Sequence, residues 1–226
     1  MKITQLSEHI WSLKTWMLIP IQVWIVKDRK GVTLVDAGIP MMADGILSFI
    51  ERLQAGPLHT IVLTHGHSDH VGAIPRILKR TSVPVYVHRT EIPYMQGELP
   101  YPRRKKAAVS LSPGIAQPLP EDTDSNLEQI GSLRPYFTPG HSPGHVVYYH
   151  EQDQVLLAGD LFTSKKGKMR KPMAMFTADM EQAVQSSVIV RDLNPKRLEI
   201  CHGTSVMQPA RQLDEYLKLN HLQTAQ

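Results

Sequence analysis

Two hydrophobic patterns alternate along the amino-terminal part of the chain. Short runs rich in Ile, Val and Trp are typical of β-strands, and apolar residues spaced by three and four positions are typical of amphipathic helices. Strands are predicted at 3–6, 10–14, 19–27, 31–38, 60–63 and 83–87, and helices at 41–54 and 70–80. Strand, helix and strand in succession at these lengths indicate βαβ units and therefore a mixed α/β sheet.

The pattern changes between about residues 94 and 124, where several prolines and the basic run 103–106 interrupt the periodicity. A long irregular insertion in a compact domain is typically functional or mobile. The sequence therefore predicts a flap beside a site or a solvated loop, and leaves both open. Beyond it, strands are predicted at 134–138, 146–149, 154–158 and 197–200, helices at 179–192 and 208–222, and an irregular cationic segment at 165–171.

Residues suited to metal binding follow four of the predicted strands. They are His65, His67, Asp69 and His70 after one strand, and His141, Asp160 and His202 after three others. Imidazole nitrogens and carboxylates are ligands that borderline divalent metals prefer, and loops at strand ends can converge outside a sheet. A glycine beside each of the last three residues allows the backbone to turn tightly there. The sequence therefore predicts a metal site at one edge of the sheet.

Composition narrows the classes of function. The 226 residues, 42% of them hydrophobic, suit a single domain spanning residues 1–226. The 25 Lys and Arg nearly balance the 21 Asp and Glu, and the only basic run is 103–106. A nucleic-acid-binding protein more often has a dense basic stripe with interleaved aromatic residues, so no nucleic-acid partner is predicted.

The single cysteine, Cys201, allows no internal disulfide. The longest apolar run near the amino terminus, 16–26, contains Pro20 and Gln22. No stretch approaches the ~18 to 20 apolar residues of a membrane span. We therefore expect a cytoplasmic protein without a membrane partner, acting on a small-molecule substrate. The oligomeric state stays open, a homodimer included.

The run His65-Gly66-His67-Ser68-Asp69-His70, with His141 in Gly-His-Ser-Pro-Gly-His, Asp160 in Gly-Asp and His202 in His-Gly, resembles the metallo-β-lactamase superfamily. Asp36 in Val-Asp-Ala-Gly matches the early acidic residue of that family, and the matches run in the family's order from about residue 34 to 203. The resemblance implies an α/β (α+β) fold, a four-layer αββα sandwich with a two-metal site at the sheet edge. It implies that His65, His67 and His141 hold the first metal, that Asp69, His70 and His202 hold the second, and that Asp160 bridges the two.

The same resemblance implies two zinc ions per chain, with iron or manganese as compatible substitutes. A metal-bound water can have its pKa lowered to about 7, which would supply a metal-bridging hydroxide for attack on a carbonyl. Asp69 is predicted to orient this nucleophile and pass a proton to the leaving group. Asp36 is predicted to accept the other ring N–H of a metal-binding histidine. His145 is predicted to be a hydrogen-bonded loop residue, and Cys201 to fill a strand end.

Among the activities of that superfamily, the prediction is hydrolysis of a small ester, lactone or thioester. Size and motif order are similar to those of the quorum-quenching lactonases, although Leu161, Phe162 and Thr163 stand where several of those enzymes carry a tyrosine. About two dozen residues follow His202, which leaves room for one helix and does not favour a glutathione thioester. The alternatives are a phosphodiesterase and an iron-dependent persulfide dioxygenase, which keeps a similar ligand motif.

Overall fold

The structure of the chain is a computed structural model that describes residues 1–220. Its first sheet has seven strands that lie side by side in sequence order. They are β1 (Lys2–Gln5), β2 (Ile10–Met17), β3 (Ile19–Asp28), β4 (Gly31–Val35), β5 (Leu58–Val62), β6 (Val85–Val87) and β7 (Ala116–Pro118). The strands from β1 to β4 pair antiparallel, and those from β4 to β7 pair parallel. Parallel pairing places the carboxyl ends of β4, β5 and β6 at one edge of the sheet.

A second sheet has five strands, and two further strands form a separate hairpin. The five are β8 (Leu133–Phe137), β9 (Val146–His150), β10 (Val155–Leu157), β13 (Arg197–Glu199) and β14 (Val206–Met207), and the hairpin strands are β11 (Thr163–Lys165) and β12 (Lys168–Arg170). In the five-stranded sheet the order is β14-β13-β10-β9-β8, with β10 and β13 parallel. This parallel pair brings the carboxyl ends of β10 and β13 together.

The prediction of an irregular segment at 165–171 is wrong, because β11 and β12 pair there. Lys166 and Gly167 connect the two strands with φ angles of +53° and +73°. Two consecutive residues with positive φ are typical of a type I′ turn, whose twist matches that of the paired strands. Gly167 adopts this conformation without steric penalty, which makes a tight hairpin favourable at this point.

Seven helices occur in residues 1–220, together with 3₁₀ turns at Pro40–Met42 and Arg89–Glu91. They are α1 (Ala43–Leu53), α2 (Ser68–Val71), α3 (Ile74–Leu78), α4 (Ile92–Met95), α5 (Met180–Ser186), α6 (Ile189–Leu193) and α7 (Ala210–Leu219). The longest is the 11-residue α1. None of these helices combines the length and apolar content needed to cross a membrane.

Two predicted helices are each divided in the structure. The predicted helix 70–80 is replaced by α2 and α3, because Pro75 lies in the first turn of α3, where its missing N–H favours a new helix start. The predicted helix 179–192 is interrupted between α5 and α6, where Ser187 and Val188 form tighter turns with the carbonyls of Val184 and Gln185. The predicted helix 208–222 begins at 210 and ends at 219, and residues 221 and 222 lie outside the described residues.

The second sheet is buried on both faces. Val146 and Tyr148 pack in one hydrophobic cluster with the first sheet and the helices α1 and α3. Val147 and Tyr149, which point to the other side of β9, pack in a second cluster with α5, α6 and α7. The order of layers is therefore helices, sheet, sheet and helices, which confirms the predicted αββα sandwich.

Candidate metal centre

The seven metal-binding candidates meet at one edge of the sandwich, where β5, β8, β10 and β13 end. Three of them, His65, His67 and His141, form what we call the three-histidine set. His65 Nε2 lies 2.9 Å from His67 Nδ1, and His141 Nε2 lies 3.1 Å from the same atom. Three ring nitrogens therefore face one point although the chain separates His67 from His141 by 74 residues.

A second group, Asp69, His70 and His202, forms what we call the mixed set. His202 Nε2 lies 3.2 Å from Asp69 Oδ2, and His70 Nε2 lies 4.0 Å from the same oxygen. The Asp69 side chain is more exposed than those of the two histidines. It therefore lies on the solvent side of the mixed set.

Asp160 lies between the two sets. Its Oδ2 is 3.4 Å from His141 Nε2 and 3.2 Å from His202 Nε2, and its Oδ1 is 3.5 Å from His70 Nε2. A single carboxylate thus reaches a nitrogen of the three-histidine set and both nitrogens of the mixed set. This is the placement expected of a bridging ligand.

Four of the five histidines are oriented by a contact at their other ring nitrogen. The Nδ1 atoms contact Thr64 Oγ1 at 3.1 Å for His65, Asp36 Oδ2 at 2.8 Å for His70, Thr177 Oγ1 at 3.3 Å for His141 and the Pro20 carbonyl at 2.7 Å for His202. An Nδ1–H that donates to an oxygen leaves the Nε2 lone pair free to face the centre. The orientation of these four rings is therefore fixed by the protein itself.

Asp36 makes the contact that the sequence predicted for it. Its side chain is fully buried, and it accepts hydrogen bonds from the Thr64 amide, the Thr64 hydroxyl and His70 Nδ1, each at 2.8 Å. Its φ angle is +57°, an uncommon conformation for a residue other than glycine. The chain adopts this conformation where it leaves β4, and the carboxylate is then directed into the loop that carries His65 and His70.

The two sets differ in their electrostatics. Burial lowers the pKa of all three imidazoles of the three-histidine set, and for His65 and His141 it does so well below the usual value. Neutral imidazoles keep the lone pair that metal binding requires. The three-histidine set is therefore already in the protonation state of a ligand set.

The mixed set contains groups that hold each other in charged form. Burial alone would lower the pKa of His202 and His70, but Cys201 and the carboxylates of Asp160 and Asp69 outweigh it and raise both values. Burial would likewise raise the pKa of Asp69, yet His70 and His202 outweigh it and lower the value to about 2. The pKa of Asp160 is held well below its usual range, with His202 and His70 outweighing the effect of burial. The carboxylates of this set are thus neutralised by the protons on its imidazoles. A metal cation can replace these protons as the positive partner of the carboxylates.

Buried atoms without partners provide the test of whether metal ions fit. His70 Nε2 and Asp160 Oδ1 are buried and have no hydrogen-bond partner among residues 1–220, although they face each other across the mixed set. Ligands bound at 2.0–2.2 Å to a tetrahedral cation lie about 3.3–3.6 Å apart, close to the spacings around Asp160. The donors, their spacing and their unpaired atoms therefore fit two divalent cations.

Two nearby residues, His145 and Cys201, border the site, and only Cys201 departs from its prediction. His145 contacts Thr138 Oγ1 at 3.0 Å and accepts the amide N–H of Asp160 at 3.2 Å, so it is a hydrogen-bonded loop residue, as predicted. Burial lowers its pKa to about 3, in keeping with a neutral ring that accepts a hydrogen bond. Cys201 is buried, and its sulfur lies within 4.8 Å of the ligand atoms of His70, Asp160 and His202. Cys201 was predicted only to fill a strand end, whereas in the structure it also borders the mixed set.

Two further residues of the site were not predicted from the sequence. Thr177 orients His141, and Glu91 is a fully buried carboxylate that bonds to both loops of the three-histidine set. Each is more than 20 residues along the chain from the histidines it helps to position, so the sequence spacing does not identify it as a residue of the site. The one available signal was the position of Glu91 just after β6, a strand whose end lies at the same edge. The segment 94–124 also reaches the site, since the Tyr101 ring lies 4.7 Å from that of His67.

Comparison with known proteins supports a metal-dependent hydrolase. The model of the metallo-beta-lactamase superfamily matches residues 17–202. A probable metallo-hydrolase of Bacillus subtilis (strain 168), YybB, is 38% identical over 211 residues, covering 92% of this chain and 93% of that protein. A hydroxyacylglutathione hydrolase of Marinomonas sp. is 30% identical over 153 residues, which cover 65% of this chain and 49% of that protein.

Solved structures agree with the fold. A metallo-beta-lactamase from Pontibacter korlensis superimposes with a TM-score of 0.74 at 23% identity, covering 98% of this chain and 99% of that one. The match of the family model spans most of the chain, and all seven predicted metal-binding residues lie within it. The chain therefore belongs to the metallo-β-lactamase superfamily.

Proposed function

We propose that the protein is a cytoplasmic dinuclear zinc hydrolase that cleaves a small ester, lactone or thioester. The observation that carries the proposal is the placement of Asp160, whose two oxygens lie within 3.2–3.5 Å of nitrogens from both sets. One carboxylate between two convergent sets of donors supports two cations held close together. In this assignment the three-histidine set would hold one zinc, the mixed set would hold the other, and Asp160 would contribute a ligand atom to each.

Bound zinc ions would supply Lewis-acid polarisation of the scissile carbonyl and an activated water at neutral pH. The chain's own groups orient the reactants. Asp69 is more solvent-accessible than His70, His202 and Asp160, with its side chain 29% exposed, and its lowered pKa keeps it a carboxylate at neutral pH. It is suited to accept a hydrogen bond from the attacking water and to move a proton from it to the leaving group.

The surroundings of the site support a substrate with an apolar part. The tip of the β2–β3 hairpin exposes Trp16 (71%) and Leu18 (92%). Pro20, which pairs with Trp16 across this hairpin, binds His202 through its carbonyl, so the tip lies next to the mixed set. Met175 is also exposed, in the segment that ends at Thr177 beside His141. Apolar groups at both sides favour an acyl chain over a highly charged substrate.

The named relatives support the chemistry of the proposal. The hydroxyacylglutathione hydrolase of Marinomonas sp. shares part of this chain, and its name describes hydrolysis of a thioester. Thioesters, esters and lactones react through the same attack on a polarised carbonyl, so one site can serve any of them. The choice among the three classes depends on the residues around the centre rather than on the metal-binding residues.

Metal content and turnover together test the proposal. Protein purified without added metal should contain about two zinc ions per chain, and His67→Ala should contain about one. His59→Ala is the matched control and should keep both ions, because His59 lies near the start of β5, at the end of the strand away from the site, where it bonds Asp28 at 2.9 Å. The parent and the control should hydrolyse members of a panel of lactones, thioesters and aryl esters, and His67→Ala should not.

Two results would contradict this function. Turnover of phosphodiesters without any turnover of carbonyl compounds would make the protein a phosphodiesterase. About one iron per chain with oxygen consumption on a persulfide would make it a dioxygenase.

A further inference from the structure

Glu91 is the most heavily bonded carboxylate next to the metal centre. Its side chain is fully buried and accepts four hydrogen bonds. Oε1 accepts from the Gly66 amide at 3.0 Å and the Tyr101 hydroxyl at 2.7 Å, and Oε2 accepts from the Ser142 hydroxyl at 2.8 Å and the Gly144 amide at 2.7 Å. A carboxylate has about four acceptor positions, so all of them are in use.

These bonds connect the two loops that carry the three-histidine set. Gly66 lies between His65 and His67, and Ser142 and Gly144 lie one and three residues after His141. The two loops leave different sheets, β5 in the first and β8 in the second. Glu91 therefore joins, through one side chain, the two parts of the fold whose separation sets the distance from His67 to His141.

Both loops have a glycine at the point where Glu91 approaches. A Cβ on Gly144 would lie 2.5 Å from the Glu91 amide nitrogen and 2.6 Å from its Cβ. A Cβ on Gly66 would lie 2.5 Å from Met95 Cβ and 2.6 Å from the Tyr101 hydroxyl. Such contacts are too short for real side chains, so these positions admit the carboxylate only because they carry no side chain. The close approach is specific to this arrangement of loops.

The segment between α4 and β7, within the predicted insertion 94–124, is attached at the same place. Tyr101 contributes one of the four donors, and the Ser110 hydroxyl donates to the Gly66 carbonyl at 2.6 Å. The peptide groups on both sides of Gly66 are thus held, one by Glu91 and one by Ser110. A backbone fixed at both its amide and its carbonyl has little freedom to rotate, which restrains His65 and His67 on either side.

We propose that Glu91 is a positioning residue that fixes the spacing of His65, His67 and His141 and thereby sets the affinity of the three-histidine set for zinc. The inference rests on the proposed function, because it takes this set to be one of two zinc subsites. Removal of the carboxylate leaves buried donors unpaired, and the two loops relax to find other partners. Groups that orient metal-binding residues typically change metal affinity about 10- to 100-fold when they are altered.

Glu91→Gln is the variant that tests this role. It keeps the volume of the side chain but replaces two acceptor positions by an NH₂ group, which faces donors on one of the two loops. Asp153→Asn is the matched control, because Asp153 is also a buried carboxylate, with donors from Ser7 and from both the amide and the ring of His9. Asp153 lies at the opposite edge of the sandwich, away from both sets.

The measurement is stepwise zinc affinity of the full chain, by competition with a chromophoric chelator, with urea unfolding of the metal-free proteins alongside. We expect Glu91→Gln to weaken one of the two zinc sites about 10- to 100-fold and to leave the other within threefold of the parent. Both variants should unfold at lower urea concentration than the parent, and Asp153→Asn should keep both zinc affinities. The split between the two sites is a result that a general loss of stability does not produce.

Equal zinc affinities in Glu91→Gln and the parent would overturn the role of Glu91 while leaving the dinuclear centre in place. An equal loss at both zinc sites, or the same loss in Asp153→Asn, would overturn it as well, since either points to stability alone. A parent that binds no zinc would instead overturn the proposed function, and this inference with it.

If Glu91→Gln does not fold, Ser142→Ala removes one donor and keeps the carboxylate. It should weaken the same zinc site by about threefold, and an unchanged affinity there would count against the proposal.

Discussion

The two edges of the sandwich carry the same kinds of residue and use them differently. At the metal centre the histidines and carboxylates face one another across a gap. At the opposite edge, His9, His150 and Asp153 also place ligand-type atoms within 4.8 Å of one another. β9 joins the two edges, since Val146 at its start donates to the Thr64 carbonyl and His150 is its last residue. Five extended residues span about 13 Å, so the clusters are separate.

Hydrogen bonding distinguishes the two clusters. Asp153 accepts from Ser7, from the His9 amide at 3.0 Å and from His9 Nδ1 at 2.8 Å, and its own amide donates to His150 Nδ1 at 3.2 Å. At the metal centre, in contrast, His70 Nε2 and Asp160 Oδ1 are buried and lack a hydrogen-bond partner in the described part of the chain. In the cluster around Asp153, the polar atoms form hydrogen bonds with one another. At the metal centre, the buried atoms need a cation as their partner.

The orientation of the histidine rings also distinguishes the two clusters. The rings of His9 and His150 are stacked, with planes 28° apart, so their in-plane lone pairs run nearly parallel and do not meet at one ion. In the three-histidine set the His65 ring is at 83° to that of His67 and at 86° to that of His141. Crossed planes allow lone pairs to converge. Proximity of histidines and carboxylates is therefore a poor guide to a metal site unless orientation and unpaired atoms are considered as well.

The largest effect is expected from Asp160, the residue between the two sets. Asp160→Asn removes a charge that both sets share, and we expect kcat/KM to fall on the order of 10³-fold, equivalent to several kcal/mol of lost transition-state stabilisation. Steady-state hydrolysis of the best ester or thioester substrate is the measurement. An activity within tenfold of the parent would show that the carboxylate does not join two working subsites.

A smaller effect is expected from Asp36, which holds His70 from behind. Asp36→Asn keeps the size of the side chain but places an NH₂ donor where Thr64 and His70 also donate, so at least one of these hydrogen bonds is lost. Zinc affinity of the mixed set should fall about 10- to 100-fold, with a matching loss of activity at limiting zinc. Unchanged metal content and rate in this variant would rule out a role for Asp36 in orienting the ligand.

At the edge that carries His9, His150 and Asp153, the expected effect is on stability alone. Asp153→Asn should lower the free energy of unfolding by about 2 kcal/mol at pH 7, because donors to a buried carboxylate lose their charged acceptor. Burial would raise the pKa of Asp153, but the hydrogen bonds from Ser7 and His9 outweigh it and lower the value.

The pH dependence of that effect has a definite sign. Because the folded pKa is the lower one, the unfolded chain takes up the proton first as pH falls below about 4, and the parent loses the contribution of Asp153. The difference between parent and variant in urea unfolding should therefore shrink below pH 4. A difference that stays constant from pH 7 to pH 3 would contradict this assignment.

The smallest expected effect is the number of protons that the protein releases when it binds zinc. His70 and His202 have raised pKa values in the metal-free protein and must lose their protons to bind zinc. Zinc titration at pH 7 should thus release about two protons per chain from these residues. Calorimetry in buffers of different ionisation enthalpy measures the number, and Asp153→Asn should give the same one. No release would mean that the carboxylates of the mixed set do not hold protons on its histidines.

Much of this architecture follows from local sequence patterns. The strand ends that carry His65, His141, Asp160 and His202 were predicted within a few residues, because apolar runs of β-branched residues and the following glycines give clear signals. The αββα layering and the grouping of the seven residues came from the resemblance to a family. Spacing alone identified suitable donors without saying which of them share an ion.

The remainder depends on contacts between distant parts of the chain. The break between α5 and α6 has no proline or glycine to announce it, and the apolar spacing of 179–192 continues across it. Glu91 resembles any charged residue of a loop until the fold brings Gly66 and Gly144 to it. Likewise, the cluster of His9, His150 and Asp153 could not be separated from a metal site by composition. Ring planes and hydrogen-bond partners decide that question.

The burial of β9 on both faces has a consequence for how such a protein can change over generations. All five of its residues are buried, so nearly every substitution there disturbs one hydrophobic cluster or the other. The hairpin tip at 16–18 and residues 96–110 belong to neither cluster, although Pro20 beside the tip contacts His202 and Tyr101 lies against His67; loops of this kind tolerate insertion. New substrate preferences can therefore arise by exchange of these loops on an unchanged scaffold, and a mutagenesis library aimed at altered specificity belongs there.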